Sequence, residues 1–163
     1  MLSIFMHPTI DIAKSVETSG IPSSTCSMPN GSLAVGDDDG SVSIFNSGGE
    51  LIESHQIEGK VIGLIYLENT LVVGSSISGV SIISDSPKNL HLSSGCEILI
   101  ASGSDFLVSD GSGILYRFNH IGELLWEKEI GHMTHISSNF EGTFLAVALD
   151  SGGVIILNNN GDI

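Results

Sequence analysis

The chain has 163 residues and 41% hydrophobic content, which is enough for one core burying roughly 70% of the unfolded surface and excludes a disordered polymer. Five Lys and Arg stand against 19 Asp and Glu, a formal charge of −14, which argues against nucleic acid and anionic membranes as partners because both are held by cations. Gly accounts for 20 residues, about 12% against a usual ~7%, so the chain is dense in turns.

"MLSIFMHPTI" has no positive n-region, and the longest apolar runs, "VIGLIYL" (61–67) and "FLAVAL" (144–149), fall far short of the ~18 residues of a membrane helix. The expectation is a soluble, cytoplasmic chain. Cys26 and Cys96 fit no metal spacing and form no disulfide framework, so both are expected as free buried thiols.

In chain order, the elements repeat. A short "LSIF" from Leu2 and "PTIDIAKSVETSG" (8–20) come first. Then "TCSM" (25–28), "SLAVGDDDGSVSIF" (32–45) and "GELIESHQIEG" (49–59) set out a unit of four strands, a to d, with strands b and c both inside the middle segment. The unit recurs as "VIGLIYL" (61–67), "TLVVGSSISGVSII" (70–83) and "SPKNLHLSSG" (86–95). It recurs again as "CEILIA" (96–101), "DFLVSDGSGILYRF" (105–118) and "GELLWEKEIG" (122–131), and ends in "THISS" (134–138) and "TFLAVALDSGGVIIL" (143–157). The last apolar residues of strand c, Phe5, Phe45, Ile83, Phe118 and Leu157, are spaced by 40, 38, 35 and 39.

The runs are about five residues long, rich in Val, Ile, Leu and Phe, and bounded by Gly, Asn, Asp and Ser, which predicts strands. Strands b and c are apolar almost throughout, so both faces of each sheet must be covered. Four-stranded units of about 40 residues stacked face to face make a β-propeller. The fold expected is therefore all-β, a β-propeller of four-stranded antiparallel blades forming a single domain over residues 1–163. Its pieces are about 1–20 (strands c and d), 23–59, 60–95, 96–131 and 132–163 (strands a, b and c), which makes three complete blades plus split terminal strands. "DDDG", "SISG", "DGSG" and "DSGG" mark the b-to-c corners, where Gly supplies positive φ.

Three closures are open. Ile10 to Val16 could supply the fourth strand of the last blade and close a four-bladed ring. Two chains could complete each other around a twofold axis as a ring of about eight blades, or the sequence could be part of a longer propeller. An open arc exposes an apolar face at each end, which predicts self-association or further sequence.

"GHMTHISSNFEGTFLAVALDSGGVIIL" (131–157) resembles a WD repeat, with its Gly-His pair, its "F-x-G" corner and its acid-Gly turn. "SDGSGILYRFNHIGELLWEKEIG" (109–131) resembles a quinoprotein-like (PQQ-like) repeat through "DG", "LY" and "G-x-LLW". The resemblance implies a propeller and loops shared on a flat face. It departs from both patterns. His132 and Asp150 match the WD hydrogen-bond set, whereas Val147 and Leu157 stand where its hydroxyl and Trp would be, and Trp126 is the only Trp.

No catalytic residue, cofactor site or metal site is expected. His132 and His135 have poor zinc spacing, and the contiguous Asp37, Asp38 and Asp39 lack the alternation of a calcium loop. "GSSISG" has the wrong offsets for a nucleophile elbow, and "GSG" (111–113) lacks the third Gly of a dinucleotide site. Asn30-Gly31 before a strand reads as a turn.

The resemblance implies that the d-to-a and b-to-c loops share one face. That face is the candidate partner-binding surface, with Asp37, Asp38, Asp39, Ser75 to Ser78, Asp110, His132 and Asp150. Its acidity points to a basic protein or peptide, and the expected function is a non-catalytic scaffold for protein–protein interaction. The alternative is a degenerate quinoprotein-like enzyme, or the structural propeller part of a larger enzyme.

Overall fold

The computed structural model of the chain describes residues 15–163, which form fifteen strands in four antiparallel sheets. The first sheet holds β1 (Pro22–Ser27), β2 (Leu33–Asp37), β3 (Ser41–Phe45) and β4 (Leu51–Gln56) in that order. The second holds β5 (Val61–Leu67), β6 (Thr70–Ser75), β7 (Gly79–Ile83) and β8 (Lys88–Leu90). The third holds β9 (Cys96–Ser102), β10 (Asp105–Asp110), β11 (Ile114–Asn119) and β12 (Leu124–Glu129). The last has three strands, β13 (Met133–Ser138), β14 (Phe144–Leu149) and β15 (Val154–Asn158). The expected Leu2–Phe5 strand and most of the Ile10–Val16 strand lie outside the described residues, and Ser15 and Val16 are not in a strand.

The first strand of each sheet lies against the first strand of the next: β1 on β5, β5 on β9 and β9 on β13. No comparable packing joins β13 to β1 among the described residues, so the four sheets form an open arc. Three apolar layers fill the gaps. Ala34, Val42 and Ile44 meet Val61, Leu64 and Val73; Val72, Val80 and Ile82 meet Leu99, Phe106 and Val108; Leu107 and Leu115 meet Ile136, Leu145 and Val147. Each Val, Leu, Ile or Phe side chain so enclosed contributes about 1.5–3 kcal/mol by leaving water.

One position per sheet controls how closely the sheets approach. A Cβ at Gly36 would lie 2.4 Å from Val61 Cγ1, and one at Gly74 would lie 2.7 Å from Cys96 Sγ. Ser109 and Ala148 occupy the same place in the third and last sheets, one residue before the end of strand b. The position is small in every sheet because the incoming first strand runs across it in the first two. Ser109 is fully buried, and its hydroxyl has no partner among the described residues.

β1 begins at Pro22, earlier than the apolar pattern of "TCSM" suggests. "PSST" has no Val, Ile, Leu or Phe, and hydroxyls take over the packing role. Ser23 Oγ donates to the Val61 carbonyl at 2.6 Å, and Ser24 Oγ accepts from the Leu64 amide at 3.0 Å, stitching the first sheet to the second. Asn30 (φ 61°) and Gly31 (φ 73°) make the turn before β2. Three of the four turns after strand c share one device: the side-chain oxygens of Asn46, Asn119 and Asn158 accept from the amides of Glu50, Glu123 and Asp162.

Candidate functional site

The b-to-c corners and the d-to-a loops lie at the same end of the sheets, as antiparallel four-stranded order requires. Each of the first three corners is locked from inside by the last side chain of strand b. Asp37, 1% exposed, receives the amides of Asp39 and Ser41 on Oδ1, and the Gly20 amide and Ser19 hydroxyl on Oδ2. In the second sheet Ser75 takes the place, accepting from the amides of Ile77 and Ser78 and donating to the Glu58 carbonyl. In the third, Asp110, 1% exposed, receives the amides of Ser112 and Ile114 and the hydroxyls of Ser112 and Tyr116.

Burial alone would raise the Asp37 and Asp110 carboxyls. The converging hydrogen bonds outweigh it and hold both below the usual carboxylate value, so both are anions. The Tyr116 phenol is pushed up, by burial first and by the Asp110 charge second. Leu149 occupies this position in the last sheet, and the corner there turns through Gly152 and Gly153, both at positive φ.

The six acidic and histidine candidates therefore divide. Asp37 and Asp110 face inward and spend their oxygens on the corner backbone. Asp38, Asp39, His132 and Asp150 are exposed. Asp38 Oδ1 accepts from the Ile21 amide at 2.7 Å, and the Asp150 amide donates to the His132 carbonyl at 3.1 Å, so the last two candidates meet through backbone. The exposed Glu58, in the loop from β4 to β5, belongs to the same face, a membership the repeat pattern of the strands does not signal.

Where the WD pattern places a hydroxyl and a Trp, Val147 and Leu157 are fully buried against the third sheet. Trp126 packs in that same layer, and its Nε1 donates to the Asn159 carbonyl at 2.7 Å, so it works as an outer-strand packing residue. Among the described residues no group of three His, Cys, Asp or Glu is placed to hold a metal ion, and no helix is long and apolar enough to cross a membrane. At the opposite end of the sheets a groove of about 600 Å³ is lined by Met28, Tyr66, Glu68, Asp85 and Ile121 among others, another feature the strand pattern does not signal.

No family model matches the chain, and no curated protein matches it. Solved structures do. The chain is similar to the computationally designed Ika4 protein at 17% identity and a TM-score of 0.74, over 90% of this chain and 99% of that one. It is similar to the WD40 β-propeller domain of Doa1 (14% identity, TM-score 0.73, 90% of this chain and 54% of that one). It is also similar to the computationally designed Ika8 protein (18%, 0.71, 88% and 48%), so it spans about half the length of the latter two. At these identities the likeness establishes the fold, and the fold is a β-propeller of stacked antiparallel sheets.

Proposed function

We propose that this chain is a non-catalytic β-propeller scaffold that seats a positively charged protein segment on its corner face. The observation that carries the reading is the division of labour at the corners. Asp37, Ser75 and Asp110 rigidify the loops from within, while Asp38, Asp39, Glu58 and Asp150 present carboxylates outward. Loops fixed in advance lose little conformational freedom on binding, which favours recognition. With five cations against 19 acids, the surface steers cations toward it. In this reading the chain acts in the cytoplasm, and the quinoprotein-like repeat at 109–131 serves as a structural blade.

The experiment is capture of basic proteins by the immobilised chain, compared with the Asp38→Lys, Asp39→Lys double variant. Both side chains are exposed, so the variant keeps the fold. Capture that falls about tenfold in the variant and weakens with salt supports the proposal. Capture indifferent to both overturns its electrostatic basis.

A further inference from the structure

At the end opposite the corners, the seams between the sheets are closed by donors from the outer strands, with one exception. Between the second and third sheets, Lys88 of β8 donates from Nζ to the Gly122 carbonyl at 2.7 Å, in the turn after β11. Between the third and last, Lys128 of β12 donates to the Gly161 carbonyl and Trp126 to the Asn159 carbonyl, both in the turn after β15. Lys88 and Trp126 hold one register position, paired with Ile82 and Arg117 of strand c. The same position in the first sheet, paired with Ile44, is Glu53, whose carboxylate can only accept. Its Oε1 lies 2.8 Å from His55 Nε2 on its own strand.

The groove of about 600 Å³ opens at this exceptional seam. Glu53 of the first sheet lines it together with the turn from Ser84 to Ser86 of the second, the turn that corresponds to those capped at Gly122 and Gly161. Leu71 and Ile83 give it an apolar wall, and Glu53, Glu68 and Asp85 bring three exposed carboxylates. Among the described residues no Lys or Arg lines it, and His120 is its one basic side chain. Thr70, 5% exposed, lines it as well, and its hydroxyl makes no hydrogen bond to any described residue.

We infer that this groove binds a small primary alkylammonium ion. The ammonium supplies the donor that Lys88 and Lys128 supply at the other seams, and its stem lies on Leu71 and Ile83 as a lysine stem covers apolar surface. An ammonium has three donors and no acceptor, so carboxylates, turn carbonyls and the Thr70 oxygen all suit it. An anion meets three like charges there, and a neutral hydrocarbon leaves the carboxylates unmatched. The occupant is a free amine, because the volume falls within the roughly 300–1,000 Å³ of small-molecule sites. Three different sheets bound the groove at Glu53, Asp85 and His120, which suits a compact ligand better than an extended chain.

The test is titration of the whole chain with hexylammonium chloride to about 10 mM, enough to fill a site of mM affinity, read by amide chemical shifts. The expected result is a saturable set of shifts at Glu53, Glu68 to Leu71 and Ile83 to Ser86. Hexanol, which lacks the charge, and ammonium chloride, which lacks the stem, should each bind about tenfold more weakly. Glu53→Lys, at an exposed position, provides from within the donor that Lys88 provides to the third sheet. It should abolish the shifts with an unchanged circular dichroism spectrum, and Glu53→Gln, which keeps the shape, should weaken binding about tenfold. The inference is overturned by the absence of saturable shifts in the groove, by hexanol binding as well as hexylammonium, or by binding indifferent to both variants. Tighter binding of Nα-acetyl-lysine methylamide than of hexylammonium overturns the free amine and assigns the groove to the lysine of a protein. None of these outcomes depends on Asp38 or Asp39, so the corner-face proposal stands or falls separately.

Discussion

Arg117 and Asp105 form the one cation–carboxylate pair with a buried member among the described residues: Nε and Nη2 of the guanidinium each lie 2.9 Å from Asp105 Oδ2. The same guanidinium reaches across the seam, where Nη1 donates to the carbonyls of Gly142 and Asn159 at 3.1 Å each. The pair thus aims a buried cation at the backbone of the last sheet. Asp105→Ala leaves Arg117, 5% exposed, without its counter-charge, and the expected cost is about 3 kcal/mol. Chemical denaturation measures it, and limited proteolysis should cut first within residues 139–162. A variant as stable as the parent would contradict this role.

The close approach at Gly36 gives a sharper test of the sheet packing. Its backbone is not in the left-handed region, so Ala is strained there only by the Val61 side chain, 2.4 Å from the new Cβ. Gly36→Ala should cost about 1–3 kcal/mol through overpacking. Val61→Ala removes the colliding methyls and should recover part of that loss in the double variant, giving a coupling energy of about 1 kcal/mol. Strictly additive effects would show that the two sheets do not meet there.

Acid stability follows from Asp37 and Asp110. Their folded pKa values are depressed, so their stabilisation is present above the unfolded value of about 3.9 and is lost as pH falls through the lower folded value. Thermal unfolding should therefore hold steady down to about pH 5 and weaken below about pH 4. Asp110→Asn should flatten that acid limb and cost about 2 kcal/mol at neutral pH, because the corner loses a charged acceptor. An acid limb unchanged by Asp110→Asn would contradict the assignment.

The two thiols separate in the same way. Burial, with the Glu97 carboxylate second, pushes the Cys96 thiol up to about 12, and Cys96 lies beneath the second sheet against Gly74. Cys26 is half-buried, and its thiol is raised by burial, offset in part by a backbone hydrogen bond at Tyr66. A thiol reagent at neutral pH should modify Cys26 slowly and Cys96 only after unfolding. Rapid loss of both thiols from the folded chain would contradict the packing.

The strands were legible because burial on both faces leaves a plain signal: "LVVG" and "VSII" are apolar without alternation, and their spacing repeats. The start of β1 was hidden because hydroxyls of Ser23 and Ser24 do what aliphatic groups do in the other sheets. The corner acids were legible as a group but not as individuals. Asp37, Asp38 and Asp39 are chemically alike, and only the alternation of strand b, which turns Asp37 inward, separates the lock from the exposed pair. The Arg117–Asp105 pair gave no local signal, since its targets at Gly142 and Asn159 are 25 and 42 residues away in sequence.

The corner face is tested most directly by titrating the chain with a lysine- and arginine-rich peptide at several salt concentrations, with the site located by amide chemical shifts. The account predicts shifts centred on Asp38, Asp39, Glu58 and Asp150, an affinity that falls as salt rises, and loss of binding in the Asp38→Lys, Asp39→Lys variant. Shifts centred on the opposite end of the sheets, or an affinity unmoved by salt and by the variant, would contradict it.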